Sequence, residues 1–313
     1  KGKYAYIAPE QIDGNVPPHL ERVCMHLLKK EPNQRPSSAA EVLNQLDGEP
    51  VGPTRTIYGR EKELDWLGDQ LDRVIRGSGG LVVVRGDVGS GRTALLESFV
   101  DMARSQGLAV AAASGARSEL VGQLSRQMPH QAAGGASWVG LAAASAIQPT
   151  VLVIDDLDHM DTGSIDGMTE LLRSKVAIEG LPILLVCSIE SESGSTAGLS
   201  SGSATGLSVD RLELGGLTRA NVIALVRDQG VTGAVGAALG RRLAEERGGV
   251  PGAVVEQVSA LVQSGWLIPT ADGGLRMGCT MEALRKDPLP LPERLRLQEA
   301  KIIKSLGLDA RHL

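Results

Sequence analysis

The stretch GDVGSGRT, Gly86 to Thr93, decides the fold, because its glycine spacing is that of a phosphate-binding loop. It follows the short apolar run 81–84, which predicts a strand, and it leads into a helical pattern over residues 94–106 that Gly107 closes. Glycines in such a loop allow positive φ, so that successive backbone N–H groups point at phosphate beside the positive end of a helix. We therefore predict that the following residues bind the phosphates of ATP or ADP: Gly86, Gly89, Ser90, Gly91, Arg92, Thr93 and Ala94.

Arginine stands at position 92, where loops of this kind carry lysine. The guanidinium of Arg92 keeps the positive charge, but its planar fork is larger and differently aimed than an ammonium group. The sequence therefore predicts that nucleotide binding survives better than hydrolysis. A glycine-rich turn between strand and helix, without a ligand, is the alternative interpretation.

An acidic pair follows a second apolar strand in TVLVIDDLDHMD, residues 150–161. A carboxylate at a strand tip can hold Mg²⁺, and its neighbour can orient the attacking water. We assign Thr93 and Asp155 to Mg²⁺ and Asp156 to the water, with a helix N-cap or a solvated turn as the alternative for the pair. His159 is predicted to be a turn or interface residue, because no second His or Cys lies near it in the sequence.

Apolar runs of the same kind recur at residues 151–154 and 183–186, and such continuous runs suit strands that are covered on both faces. With the first run they predict an α/β fold built on a parallel sheet. Residues 61–75 show helical periodicity ahead of the sheet, and SESGSTAGLSSGSATG at 191–206 has the composition of a flexible loop.

A helical region is predicted after the sheet. Three helical patterns lie between residues 218 and 264, and residues 266–277 alternate around Ala-Asp-Gly-Gly at 271–274 in the manner of a hairpin. These patterns predict a helical lid that ends in a winged-helix-like unit.

Composition excludes several classes of protein. The chain has 313 residues, of which 42% are hydrophobic and only 2% aromatic, so we expect an aliphatic core and no aromatic platform for nucleic acid. A net charge of -5 argues against binding to the negatively charged surface of nucleic acid or of an anionic membrane.

The cysteines and the ends of the chain carry further information. The three cysteines, Cys24, Cys187 and Cys279, are far apart and form no CxxC pair, which argues against disulfides and zinc and for a reducing cytoplasm. No apolar run has the length of a membrane span, and because the first residue is Lys1 we expect a fragment.

Several motifs resemble those of the signal-transduction ATPases with numerous domains, a regulatory branch of the AAA-like P-loop proteins. YGREKEL at 58–64 is similar to the family's GRExEL entry, GDVGSGRT to its Walker A motif and VIDDLDHMD to its Walker B motif. LELGGLT at 212–218 and GGVP at 248–251 resemble the family's LxLxPL segment and the G-x-P of its lid. The resemblance implies that Tyr58, Gly59, Arg60 and Pro251 also contact the nucleotide.

The resemblance also implies a departure after the third strand. In the family this strand ends in a polar residue and an arginine that senses the γ-phosphate. LLVCSIES at 184–191 aligns so that Ser188 fills the polar position and Glu190 replaces the arginine. We therefore expect Glu190 at the catalytic position and very slow hydrolysis. The alternatives are a strand shifted by one residue, or a Glu190 side chain that faces solvent, with a partner supplying the arginine.

Residues 1–47 resemble a different family. GKYAYIAPEQ looks like the end of a serine/threonine protein kinase activation segment, with APE at Ala8, Pro9 and Glu10, and HLLKKEPNQRPSSAAEVL looks like the kinase's closing helices. The resemblance implies an ion pair between Glu10 and Arg35. The glycine-rich loop, the β3 lysine, HRD and DFG are absent from the sequence, so we expect no kinase activity from this chain.

These observations predict five segments: a truncated kinase C-lobe remnant (1–47), a linker (48–53), a P-loop ATPase core (54–210), a helical lid with a winged-helix-like unit (211–283) and the start of a helical repeat region (284–313). We expect an ATP-binding regulatory switch that uses ATP or ADP with Mg²⁺ and hydrolyses ATP weakly or not at all. Its expected partners are signalling proteins, with self-association left open, and not nucleic acid or a membrane. A nucleotide-free interaction scaffold and a pseudokinase remnant that only docks are the alternatives.

Overall fold

The computed structural model describes residues 57–115, 120–128, 137–173, 182–190, 209–270 and 273–292. All of them belong to one compact unit, Thr56–Leu313. The kinase-like motifs of residues 1–47, the linker at 48–53, the segment 191–206 and residues 293–313 of the expected repeat region lie outside the described residues.

The centre of this unit is a five-stranded sheet with the strand order β2-β3-β4-β1-β5, and all of its described pairings are parallel. The strands are β1 (Gly80–Arg85), β2 (Ala109–Ser114), β3 (Thr150–Asp155), β4 (Ile183–Ile189) and β5 (Val209–Glu213). The three predicted strands and their parallel arrangement are confirmed. β4 extends beyond its predicted end at residue 186 through Cys187, Ser188 and Ile189, all of which are buried.

Helices cover both faces of the sheet. They are α1 (Glu61–Ile75), α2 (Arg92–Ser105), α3 (Leu120–Gln127), α4 (Trp138–Ser145) and α5 (Thr162–Arg173). The predicted bounds of α1 are confirmed, whereas α2 begins two residues earlier than the predicted pattern. The predicted glycine cap is confirmed, since Gly107 has a φ of +77° and Leu108 N–H donates to the Ala103 carbonyl at 3.2 Å.

Side chains of β1 alternate between two hydrophobic cores, one on each face of the sheet. Val82 and Val84 pack into the core that α1 and α2 build with Leu67 and Phe99. Leu81 belongs to the opposite core. Because both faces are covered, the strand reads as a continuous apolar run in the sequence.

The region after the sheet has a hydrophobic core of its own. Its elements are α6 (Arg219–Asp228), α7 (Gly233–Glu246), α8 (Pro251–Gln263), β6 (Leu267–Pro269), β7 (Leu275–Met277) and α9 (Met281–Lys286). The three predicted lid helices and the hairpin, whose strands pair antiparallel, are confirmed. Helix α9 continues past residue 283, the predicted end of the lid, and buries Leu284 in the same core.

None of the helices in the described ranges combines the length and apolar character that a membrane crossing requires.

Candidate nucleotide-binding site

The loop between β1 and α2 takes the backbone conformation that its glycines predict. Gly89 and Gly91 have φ values of +80° and +91°, which residues with a side chain rarely adopt. Gly86 is needed for space, because a Cβ there would lie 2.4 Å from Ser90 Oγ. The sequence therefore forms a tight loop that leads directly into the first turn of α2.

Several hydrogen-bond donors of this loop have no protein acceptor. Within the described part of the chain, the backbone N–H groups of Gly89, Gly91, Arg92, Thr93 and Ala94 donate to no protein atom. They lie at the positive end of the α2 dipole, where an anion is stabilised. This donor set fits a phosphate group.

Thr93 and the tip of β3 form the cation side of the site. Thr93 Oγ1 donates to Asp155 Oδ2 at 2.7 Å. Ser188 Oγ, at the end of β4, donates to Asp155 Oδ1 and accepts the Asp156 N–H at 2.8 Å. Hydroxyl and carboxylate oxygens are ligands that Mg²⁺ prefers, so Thr93 and Asp155 fit the predicted metal role and Ser188 orients the carboxylate.

Arg92 folds back onto the loop. Its Nη1 donates to the Gly86 carbonyl, and its Nη2 lies 3.1 Å from Asp156 Oδ1. The Arg92 side chain is only 11% exposed, against 35% for Asp156. The carboxylate predicted to orient water is thus ion-paired with the arginine that replaces the usual lysine.

The backbone of Asp156 takes a left-handed conformation. Its φ of +53° is the one positive value of a non-glycine residue in the described ranges, and aspartate is among the few residues that tolerate it. The Gly115 N–H donates to the Asp155 carbonyl at 2.7 Å, and a Cβ at Gly115 would lie 2.5 Å from the Asp156 carbonyl oxygen. Close packing at Gly115 therefore accommodates the left-handed turn at Asp156.

Glu190 follows the last residue of β4 and is exposed. Its backbone N–H donates to the Asp158 carboxylate. Among the described residues, no contact joins the Glu190 carboxylate to Arg92 or Asp156. Ser188 pairs with Val84 of β1 and contacts Asp155, so this polar residue lies at the end of β4 beside the acidic pair. Of the two alternatives for Glu190, its exposure favours a side chain that faces solvent.

Comparisons with known proteins agree with this geometry. Residues 56–186 match the family model described as the AAA ATPase domain. The ORC2 protein of Aeropyrum pernix, solved as ADPNP–ADP complexes, is 16% identical with a TM-score of 0.53, and the match covers 76% of this chain and 69% of that chain. Drosophila ORC bound to DNA is 15% identical with a TM-score of 0.52, and the match covers 94% of this chain and 82% of that one. No curated protein matches the sequence.

The chain shares the fold of the ORC2 protein of Aeropyrum pernix. At these identities the likeness to solved structures shows the fold alone, so the roles of individual residues depend on the geometry.

Arg60 joins the loop to the segment that enters the lid. Its buried guanidinium donates to the Ser90 carbonyl at 2.9 Å and to the Gly215 carbonyl at 2.6 Å, and it pairs with Glu63 at 3.0 Å. The resemblance implied that Arg60 contacts nucleotide. The structure places its charge on the backbone of the loop, where it positions the loop.

The two residues before Arg60 contact lid helix α6. Burial, and after it the charge and hydrogen-bonding capacity of Asp228, raise the pKa of Tyr58. The phenol is protonated at neutral pH and can donate to Asp228. Gly59 has a φ of +67°, and a Cβ there would lie 2.0 Å from Asn221 Nδ2, so only glycine fits. The sequence reasoning missed Gly215, Asn221 and Asp228, because nothing in its local pattern marks such long-range partners.

The start of α8 touches the loop from the other side. Gly252 N–H donates to the Gly89 carbonyl at 2.8 Å, and a Cβ at Gly91 would lie 3.8 Å from Pro251 Cγ. A cavity of about 160 Å³ lies beside this contact, and its lining includes Val88 at the loop and Arg247 of the lid. Pro251, predicted from the G-x-P pattern, is therefore beside the loop, and the sequence missed the hydrogen bond of its neighbour Gly252.

Proposed function

We propose that this chain is a nucleotide-binding switch in which ATP or ADP at the loop controls the lid. The observation that carries the proposal is the hydrogen bond between Gly89 and Gly252, because it links the phosphate-binding backbone to the lid without an intervening side chain. A nucleotide that reorients the Gly89 peptide changes this bond, and the packing of α8 changes with it.

The chemistry of the loop supports ATP or ADP as the ligand. The free N–H groups and Arg92 supply donors and positive charge for phosphate, and Thr93 and Asp155 would hold Mg²⁺. When bound, Mg²⁺ neutralises part of the phosphate charge. The printed description of the ORC2 protein of Aeropyrum pernix names ADPNP and ADP, nucleotides of the class proposed here.

We propose that hydrolysis is weak. Arg92 replaces lysine, Asp156 is engaged in an ion pair, and Glu190 stands where the resemblance expects an arginine. Each of these features removes or misplaces a group that the transition state of phosphoryl transfer requires. The output of the switch is then conformational.

The signalling role rests on the sequence. The motifs that resemble signal-transduction ATPases, and the kinase-like motifs of residues 1–47, support a regulatory protein that acts through protein partners, itself included. The net charge of -5 supports protein partners over nucleic acid. The free thiols of Cys187 and Cys279 support a reducing, cytoplasmic location.

Calorimetric titration of the full chain with ADP and ATP, with and without Mg²⁺, tests the proposal. We expect a dissociation constant in the range of about 1–100 μM, because backbone amides provide most phosphate contacts. Saturating nucleotide should also raise the melting temperature, since a ligand of the folded state stabilises it. If a chain that circular dichroism shows to be folded binds no nucleotide at millimolar concentration, the switch proposal fails and the scaffold is supported.

Replacing Gly252 with valine is expected to uncouple the lid from the loop. A Cβ at this position would lie 2.8 Å from the Gly89 Cα, so α8 must move away and lose the hydrogen bond. We expect an overpacking cost of about 1 kcal/mol in unfolding free energy and loss of ADP-induced protection of lid amides in hydrogen–deuterium exchange. Ser259→Val is the matched control, since it also introduces a valine into α8 but at an exposed position. Equal ADP-induced protection of the lid in Gly252→Val and Ser259→Val would contradict the proposed coupling.

A further inference from the structure

The cation of the phosphate loop already has an anionic partner. Arg92 spans two groups at once, the Gly86 carbonyl at the start of the loop and the Asp156 carboxylate, whose Oδ1 lies 3.1 Å from Nη2. The forked guanidinium suits this double contact, because its two terminal nitrogens are held in a fixed plane, whereas a lysine ammonium is a compact point charge on a flexible stem. The observed geometry therefore depends on the shape of the arginine side chain at position 92.

Phosphate and Asp156 compete for the same donors. A guanidinium binds a phosphate or a carboxylate through the same pairs of N–H groups, and it has no acceptor of its own. A phosphate that reaches Nη2 while Asp156 stays in place would bring two anions together, which is unfavourable. Phosphate binding at Nη2 of Arg92 is therefore favoured when the pair with Asp156 opens.

The position of Asp156 is built into the fold. Its N–H is held by Ser188 Oγ at 2.8 Å, and its left-handed backbone is accommodated by close packing at Gly115. These contacts fix the backbone while leaving the carboxylate partly exposed, so the side chain can release Arg92 without rearrangement of β3. Such a residue can exchange partners while its backbone stays fixed.

We propose that Asp156 is a latch on Arg92: nucleotide phosphate displaces it, and the released carboxylate then becomes available to orient water. The proposal rests on the proposed function, since it assumes that phosphate binds at this loop. It assigns Asp156 two successive roles, as a competitor that lowers nucleotide affinity and afterwards as the water-orienting group. The ion pair thereby keeps that group engaged until phosphate has bound.

A double-mutant cycle on the full chain tests the latch. ADP is titrated without Mg²⁺ into wild type, Asp156→Asn, Arg92→Met and the double variant. Asparagine tolerates the left-handed backbone of position 156 but does not compete as an anion. We expect Asp156→Asn to tighten ADP binding about fivefold in the wild-type background, in line with a partly exposed ion pair. In the Arg92→Met background the same change should alter affinity by less than about twofold.

Two further variants supply a charge control and an alternative background for the cycle. Asp158→Asn removes the same charge two residues away, from a carboxylate that accepts the Glu190 N–H, and we expect it to change ADP affinity by less than about twofold. If Arg92→Met binds too weakly to titrate, Arg92→Lys serves as the background. Its ammonium lacks the planar fork and is more strongly hydrated, so it holds Asp156 less well and the gain from Asp156→Asn should fall below half of the wild-type gain.

The outcomes separate the latch from the proposed function. If wild type binds ADP and Asp156→Asn binds it equally or more weakly, the latch is overturned and the switch stands. If Asp156→Asn tightens binding equally in both backgrounds, simple repulsion of phosphate replaces the latch. If neither wild type nor any variant binds ADP, the proposed function fails, and the latch fails with it.

Discussion

Replacing Arg60 with methionine is expected to lower the free energy of unfolding by about 3 kcal/mol, because it removes a buried charge that three groups depend on. The Arg60 side chain is 5% exposed and its partner Glu63 is 20% exposed. Without the guanidinium, Glu63 loses its cation, and the carbonyls of Ser90 and Gly215 lose charge-assisted donors. Methionine retains the apolar stem, so the loss reports the polar contacts.

Urea denaturation of the full chain measures this effect, and Arg73→Met is the matched control. Arg73 lies on the same helix, α1, and pairs with Asp210 at 2.7 Å, but the two side chains are 47% and 37% exposed. Surface pairs of this kind contribute about 0–1 kcal/mol. If Arg60→Met and Arg73→Met cost the same, Arg60 does not hold the loop to the lid segment as the geometry indicates.

Three of the five strands and the first helix could be predicted from local sequence patterns. The bounds of α1 follow from apolar residues at helical spacing, and β1, β3 and β4 follow from short apolar runs, because both signals depend only on neighbours in the chain. Strands β2 and β5 were missed, because neither contains such a run of large apolar side chains. The phosphate loop could be predicted equally well, since Gly89 and Gly91 occupy the positions where the backbone takes positive φ.

The long-range hydrogen bonds of the site could not be predicted in the same way. The contact of Arg60 with Gly215 and that of Gly89 with Gly252 join residues far apart in the chain, and no periodic pattern records them. The resemblance suggested nucleotide contacts for Arg60, which stay a prediction, and the structure adds its contacts with the backbone of the loop. The pairing of Arg92 with Asp156 depends on a left-handed aspartate, and nothing in the sequence around position 156 signals that conformation.

Introducing the two residues that the resemblance expects, Arg92→Lys with Glu190→Arg, is expected to raise steady-state ATP turnover at least about tenfold, or roughly 1.4 kcal/mol of barrier. Lysine at 92 frees the loop from the arginine fork, and arginine at 190 supplies positive charge where the γ-phosphate develops negative charge. Residue 190 directly follows β4, two residues after Ser188, which touches Asp155. An arginine at 190 therefore starts from the edge of the sheet that carries Asp155, and its long side chain has to turn from solvent toward the nucleotide.

The single substitutions decide which cation matters. Glu190→Gln removes the negative charge without adding a positive one, so a gain confined to Glu190→Arg identifies a true γ-phosphate contact, whereas equal gains identify relief of repulsion. If the whole effect comes from Arg92→Lys, the exposed Glu190 side chain faces solvent in the nucleotide complex as it does in this structure. Turnover is measured with nucleotide affinity in parallel, because a gain in the rate constant without equal tightening of ATP binding marks stabilisation of the transition state. An unmodified chain that already hydrolyses ATP at a rate ordinary for switch ATPases, or a double variant that stays at the wild-type rate, would show that position 190 lies outside the catalytic site.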